Sequence, residues 1–179
     1  MPATPQNLFA FLDGLGIRYR TVTHPPLFTV AQSRELRGTI PGGHTKNLLL
    51  QDKHETVVLA AALEEAVIDL KGLHRTLGTA RLSFASPAVM RALIGVEPGA
   101  VTPFAMINDP EGRVGVVLDA AMMAEPILNY HPLVNTMTTA LSSRDLVKFL
   151  EATGHPPRIV AMSAASDGGG HPGEARLEG

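Results

Sequence analysis

Residues Val57-Val58-Leu59-Ala60-Ala61-Ala62 form an apolar run with no polar break. A strand with one wet face alternates apolar and polar residues, so an unbroken run belongs in the middle of a sheet covered on both sides. The pattern predicts a strand over 56–63. A second strand, Lys46 to Gln51, precedes it across the polar turn Asp52-Lys53-His54-Glu55. A central hairpin of this kind needs further strands beside it and helices above and below. A chain of 179 residues with 45% hydrophobic content can supply both within one domain.

The flanking segments have matching signals. Leu8, Phe11, Leu12 and Leu15 share one helical face, which predicts a helix over Pro5–Leu15 that stops at Gly16. Ile17–Thr23 is a half-wet strand ended by His24-Pro25-Pro26. Thr29 and Gln32 fit a capping box for a short helix to Arg37. Asp69–Leu77 and the Ser86-Pro87 segment up to Gly95 are helices, with Leu82–Ala85 a short strand between them. Strands are expected at Phe104–Ile107, Val114–Asp119, Ile127–Tyr130, Met137–Leu141 and Arg158–Met162. A helix capped by Ser142 or Ser143 should run through Leu150. Hairpins outnumber βαβ units, so the expected fold is mixed α/β, with a largely antiparallel, partly barrel-like sheet flanked by helices. Residues 1–162 form the single domain. The glycine-rich tail over 163–179 is expected to be mobile.

Composition removes several function classes. There is no cysteine, so disulfides, thiolate nucleophiles and cysteine-bound zinc are excluded, in keeping with a cytoplasmic protein. No apolar run is long enough to span a membrane, and no secretory signal opens the chain. A net charge of -2 argues against a protein that coats DNA or other long nucleic acid, but permits a local patch for one RNA end. Trp is absent and aromatic content is 4%, so a base-stacking platform is not expected. Gly168-Gly169-Gly170-His171-Pro172-Gly173 matches the dinucleotide fingerprint by letter, yet no strand precedes it and no helix follows. His54-Glu55-Thr56-Val57-Val58 lacks the second histidine of a zinc protease, and no metal site or cofactor is expected. No nucleophile elbow or P-loop occurs.

Three segments carry chemistry. Lys46 stands at the mouth of the Leu48-Leu49-Leu50 strand, where an ammonium is expensive to desolvate. It is either a snorkelling strand-end lysine or a fixed cation for a pocket. The loop Gly99-Ala100-Val101-Thr102-Pro103 couples a glycine, which lets backbone approach a ligand, to a stiffening proline. It is either a plain connection or a cradle for an oxyanion, hydroxyl or ribose. His131, in Asn129-Tyr130-His131-Pro132-Leu133-Val134-Asn135-Thr136, ends a strand among polar groups. It either holds a substrate group or water, or is a hydrogen-bonded loop histidine.

Taken in order, the strand-start lysine, the Gly-x-x-x-Pro loop and the His-Pro segment resemble the YbaK/prolyl-tRNA synthetase editing-domain family. The resemblance runs from about Gln6 to Met162. Within the family, His131 to Ala140 and Asp145 to Leu150 look most like the ProXp-ala branch, which hydrolyses alanine mischarged on proline tRNA. Asn47 after Lys46 departs from the Lys-Thr of many Cys-tRNA deacylases of the YbaK type, in keeping with that branch. The resemblance implies that Lys46 is the family's essential lysine, that Gly99 and His131 belong to the catalytic site, and that Asn47, Ala100, Val101, Thr102 and Pro103 line the aminoacyl pocket. It implies a partner, the aminoacylated tRNA acceptor end, and association with prolyl-tRNA synthetase. Cys-tRNA(Pro) or another small aminoacyl ester remains an alternative substrate, and a non-catalytic tRNA- or synthetase-binding module an alternative function. Arg18, Arg20, Lys53, Lys71, Arg75 and Arg81 are candidate RNA contacts.

Overall fold

The computed structural model describes residues 1–26 and 30–163. The expected cap Thr29 and the tail from residue 164, with its Gly168–Gly173 segment, lie outside the described residues. In chain order the elements are α1 (Pro5–Gly14), β1 (Tyr19–Thr23), α2 (Val30–Arg37), β2 (Gly43–Gln51), β3 (Val57–Leu63), α3 (Leu70–Leu77), β4 (Ser83–Phe84) and α4 (Pro87–Ile94). A 3-10 helix (Pro103–Asn108), β5 (Val114–Asp119), α5 (Ala120–Met123), β6 (Ile127–Tyr130), β7 (Met137–Ser142), α6 (Ser143–Ala152) and β8 (Arg158–Val160) complete the domain.

Local chemistry sets the helix ends. Thr4 accepts from Asn7 N while the Asn7 side chain accepts from Thr4 N, a reciprocal cap before Pro5. Ser86 and Ser142 cap α4 and α6 through Val89 N and Asp145 N. The Asp52 carboxylate accepts from the backbone N–H of His54, Thr56 and Ala80, which shapes the β2–β3 turn and ties it to the chain after α3.

The sheet runs β1-β7-β6-β2-β3-β5-β8, with β4 also on β2. The β1–β7, β6–β7, β2–β3 and β2–β4 pairs are antiparallel; β2–β6, β3–β5 and β5–β8 are parallel. The architecture is thus the mixed α/β fold expected, with antiparallel pairs in the majority. β3 lies inside the sheet, buried from Val57 to Ala62, as its unbroken apolar run requires. One face of β2, β3 and β5 buries Leu49, Leu59, Ala61, Val116 and Leu118 against α1, α4, α6 and the 3-10 helix. The opposite face buries Leu50, Val58, Ala60 and Val117 with Leu73 of α3 and with Met162.

The expected strand Phe104–Ile107 is instead part of the 3-10 helix. Thr102 caps it by accepting from Phe104 N, and Pro103 occupies its first turn. Pro103, Phe104, Ala105 and Met106 are all buried, so the run that suggested a strand is a helical turn apolar on every side. The Phe104 ring meets Phe149 at 5.4 Å and Tyr130 at 5.9 Å, both edge to face. Asn108 ties the turn down by accepting from Ala3 N and donating to Ile94 O. The one-turn α5 had no sequence signal because four residues are too few to display a period.

Asp109 is fully buried, and its Oδ2 takes two partners: Val114 N donates to it at 2.9 Å, and His155 Nε2 lies 2.9 Å away. Burial pushes its carboxyl up, but the His155 bond and the backbone N–H groups of Val114 and Arg113 outweigh that and hold it below the usual carboxylate range. A depressed carboxyl pKa stabilises the fold in full above about pH 4, and the contribution fades as pH falls through the folded value. Urea unfolding should therefore show wild type losing stability below about pH 4, with Asp109→Asn flattening that loss. Asp109→Ala should cost about 3–5 kcal/mol at neutral pH, the usual penalty for breaking a buried pair.

Candidate functional site

β2 fills one edge with β3 over Thr45–Gln51. Its other edge is divided. β6 pairs with Gly43 and His44, β4 pairs with Leu50 and Gln51, and Ala85 N donates to Leu49 O. In the interval the Thr45 hydroxyl donates to Asn129 O at 2.7 Å, a side-chain bond where the next backbone rung would fall. Lys46, Asn47 and Leu48 stand in the opening between the two partners.

Strand alternation assigns these residues to faces. Thr45, Asn47 and Leu49 point toward the core of α1, α4 and α6; His44, Lys46 and Leu48 point the other way. The parallel register Gly43↔Leu128 and His44↔Asn129 aligns Lys46 with His131 when carried two residues further. The same face continues across the sheet through Asn129↔Ala140, Arg20↔Ala140, Val22↔Thr138 and Ile127↔Ser142. It therefore carries Lys46, His131, Asn129 and Thr138, with Arg20 outside this group on the outermost strand β1.

The segment 39–42 crosses this face. Asn129 Nδ2 donates to Pro41 O at 3.0 Å and to Gly43 O at 3.3 Å. Those two carbonyls fix the carboxamide orientation, so its oxygen is the buried atom left with no hydrogen-bond partner. Gly42 has φ +100°, and a Cβ there would lie 2.9 Å from Ile127 Cγ2 and 3.0 Å from Asn129 Nδ2. Two cavities adjoin Thr39. One of about 400 Å³ is lined by His24, Pro25, Pro26, Gln32, Glu35 and Leu36. The other, of about 520 Å³, is lined by Arg18, Arg20, Val22, Ile40, Pro41 and Ile127 among others.

Lys46 is half-buried, and its Nζ donates to the carbonyl of Ala66, just past β3. His131 is half-buried, with Nδ1 2.9 Å from Met137 O. A carbonyl only accepts, so Nδ1 carries the proton and Nε2 of the neutral ring offers a lone pair. Burial is the chief cause that lowers the His131 pKa; the Met137 bond opposes it, nearby His24 adds to it, and Glu64 opposes it. The His24 ring lies 6.2 Å from that of His131 and is fixed by Pro25 O and the Thr138 hydroxyl, each at 2.8 Å.

Asn47 faces away from Lys46. Its Nδ2 is 3.5 Å from Thr45 Oγ1, and its oxygen is buried without a partner. Gly99, at φ +92°, is exposed, and its Cβ position lies 4.0 Å from Asn135 Nδ2, so the loop abuts the segment that follows His131. Ala100 is buried, Val101 is half-buried against the core, and Thr102 and Pro103 are buried. The side chains of Thr102 and Pro103 are spent on the 3-10 helix, which leaves Gly99 as the exposed point of the loop.

Sequence reasoning passed over His24, Asn129 and Thr138 as site groups. His24-Pro25 repeats the His131-Pro132 dipeptide, but so do His155-Pro156 and His171-Pro172, so the dipeptide singles out no site. Among the basic candidates, Arg18 and Arg20 border the larger cavity. Lys53 sits in the β2–β3 turn, ~23 Å along the strand from Lys46 at ~3.3 Å per residue, and Lys71 and Arg75 lie on α3.

Comparison with known proteins gives a consistent result. Residues 24–149 match the family described as the aminoacyl-tRNA editing domain. The prolyl-tRNA editing protein ProX of Acetoanaerobium sticklandii is 34% identical over 88% of this chain and 96% of its own length. The prolyl-tRNA synthetase associated domain-containing protein 1 of Bos taurus is 36% identical over 83% of this chain and 90% of its own. The multifunctional Ser/Thr-tRNA deacylase ProXp-y of Escherichia coli K12 is 36% identical over 56% of this chain and 62% of its own. A solved structure proposed to be a trans-editing enzyme for prolyl tRNA synthetase shares the fold, with TM-score 0.70 and 18% identity over 91% of this chain and 98% of that one. Among the described residues no helix is long and apolar enough to cross a membrane.

Two outcomes are expected. By nitrogen-detected NMR, His131 should be the Nδ1–H tautomer at pH 7 and should titrate below about pH 6.5; a depressed histidine pKa also means that its protonation disfavours the fold as pH drops below that value. Gly42→Ala should lower stability by about 1–2 kcal/mol for the left-handed backbone alone, whereas Gly14→Ala, with nothing within 4 Å of its Cβ, should not.

Proposed function

The chain belongs to the aminoacyl-tRNA editing domain family, and on that premise we propose that it is a trans-editing deacylase that hydrolyses the ester of alanine mischarged on proline tRNA. The observation that carries the reading is the β2–β6 register, which carried two residues past its last rung sets Lys46 level with a neutral His131 whose Nε2 lone pair is unspent. The names of the relatives support the reaction class. The alanine assignment draws on Asn47 after Lys46 and on the His131 to Ala140 stretch, which resemble the ProXp-ala branch.

Editing answers a limit of selection. A synthetase pocket built for proline cannot strongly reject a smaller amino acid, because a missing methylene changes binding by only about 1–3 kcal/mol. A second site that admits alanine and excludes proline by size removes the error. The bond cut is an activated ester, so no protein nucleophile is required. Water attacks the ester carbonyl as His131 Nε2 takes one of its protons; the tetrahedral oxyanion then collapses, the C–O bond to the ribose breaks, and the protonated His131 returns that proton to the leaving ribose oxygen, giving free alanine and a ribose hydroxyl. Lys46 holds the charged 3′ end and favours the developing negative charge; the Gly99 backbone N–H is the second donor. Asn47, expected to line the aminoacyl pocket, faces the opposite side of β2 and takes no step in this scheme. No cofactor enters this scheme. The partners are the aminoacylated acceptor end and prolyl-tRNA synthetase, in the cytoplasm where tRNA is charged.

Lys46→Ala should reduce deacylation of Ala-tRNA(Pro) by about 10²–10³-fold, the usual effect of losing one donor to the oxyanion. A variant with wild-type rate would remove Lys46 from the mechanism. A panel of proline tRNA charged with Ala, Cys, Ser, Thr or Pro should show Ala cleaved fastest and Pro spared. Faster loss of another residue would reassign the substrate, and tight tRNA binding with no cleavage would make the protein a binding module.

A further inference from the structure

The cavity of about 520 Å³ does not belong to the aminoacyl site, yet it opens on the same sheet face. Register places it. Arg20 pairs with Ala140, which pairs with Asn129; Ile127 pairs with Ser142. Ile127 lies four residues before His131 on β6, so the floor of the cavity sits ~7–14 Å from the His131 level at ~3.4 Å per residue. That is the reach of one or two nucleotides along an extended single strand. The floor is apolar: Val22, Ile40, Pro41, Ile127 and Ala140. Ile127 is 38% exposed, a large apolar side chain left open.

The margin is cationic. Arg18 and Arg20 are both exposed, and among the described residues neither guanidinium has a hydrogen-bond or ion-pair partner. Asp145 is the single acidic group in the lining, against two cations. An aliphatic floor takes a base face by burying apolar surface, not by aromatic stacking, and guanidinium groups take phosphate oxygens. Between floor and catalytic level lies Asn129, 3% exposed, with its carboxamide oxygen unpartnered.

We propose that this groove holds the unpaired nucleotides preceding the terminal adenosine of the aminoacylated RNA, with a base on the Val22–Ile127 floor and its phosphates on Arg18 and Arg20. The proposal rests on the deacylase reading of the neighbouring site and assigns it an RNA track. Lys53, Lys71, Arg75 and Arg81 are left outside the track.

The test compares wild type with Arg18→Ala/Arg20→Ala on two substrates, full-length Ala-tRNA(Pro) and 3′-O-alanyl-adenosine, which carries the ester but no preceding nucleotide. The double variant should raise KM for the tRNA at least 10-fold with little change in kcat. It should also reduce the slope of log K against log salt by about 0.7 for each single-strand phosphate no longer neutralised. Cleavage of alanyl-adenosine should stay at the wild-type rate. Unchanged KM for the tRNA, or equal losses on both substrates, would overturn the proposal. Binding of a fluorescent RNA ending in CCA, read by anisotropy, separates this claim from the deacylase reading. If wild type cleaves neither ester yet the double variant loses RNA binding, the chemistry fails and the track stands. If RNA binding is untouched and prolyl-tRNA synthetase binding is lost, the groove is a protein dock and the track is wrong.

Discussion

Everything distinctive about this molecule follows from two partners competing for one edge of β2. β6 runs parallel to its start and β4 antiparallel to its end. A strand edge offers one row of donors and acceptors, and two strands of opposite direction cannot share it without a break. The break falls at Lys46, Asn47 and Leu48. The Thr45 hydroxyl closes the seam on the β6 side, and Ala85 closes it on the β4 side. Backbone left between two ladders is polar surface inside a sheet.

That seam is supported from below. The 3-10 helix is buried from Pro103 to Met106 and held by Phe149, Tyr130 and Asn108. It anchors the far end of the Gly99 loop, so Gly99 meets the His131 segment as a fixed edge. His131 is held by the carbonyl of Met137, which opens the neighbouring strand. Gly99 and His131 are thus each held by backbone that the core has already immobilised.

How much of this was legible can be traced residue by residue. β3 was legible because six consecutive apolar residues admit few places in a sheet. The caps at Ser86 and Ser142 were legible because a hydroxyl ahead of a helix has a specific partner. Phe104 to Ile107 was misjudged because a short apolar run serves a strand and a buried helical turn equally well. Asn47 and Lys46 could not be separated in the sequence, since neighbouring letters give no warning that alternation sends them to opposite faces. Asn129 and Thr138 gave no sign at all: their place beside His131 depends on strand register.

The chain alone determined a mixed α/β domain, its central hairpin, the capped helices and the family, because these rest on local periodicity, local hydrogen bonds and the order of short motifs. The tertiary structure decided the rest. Which edge of β2 meets which strand, which residues share a face and which cations border the groove are consequences of packing between residues far apart in sequence. Lys46 and His131 are 85 positions apart, the offset set by a two-residue parallel rung, and no local rule relates them.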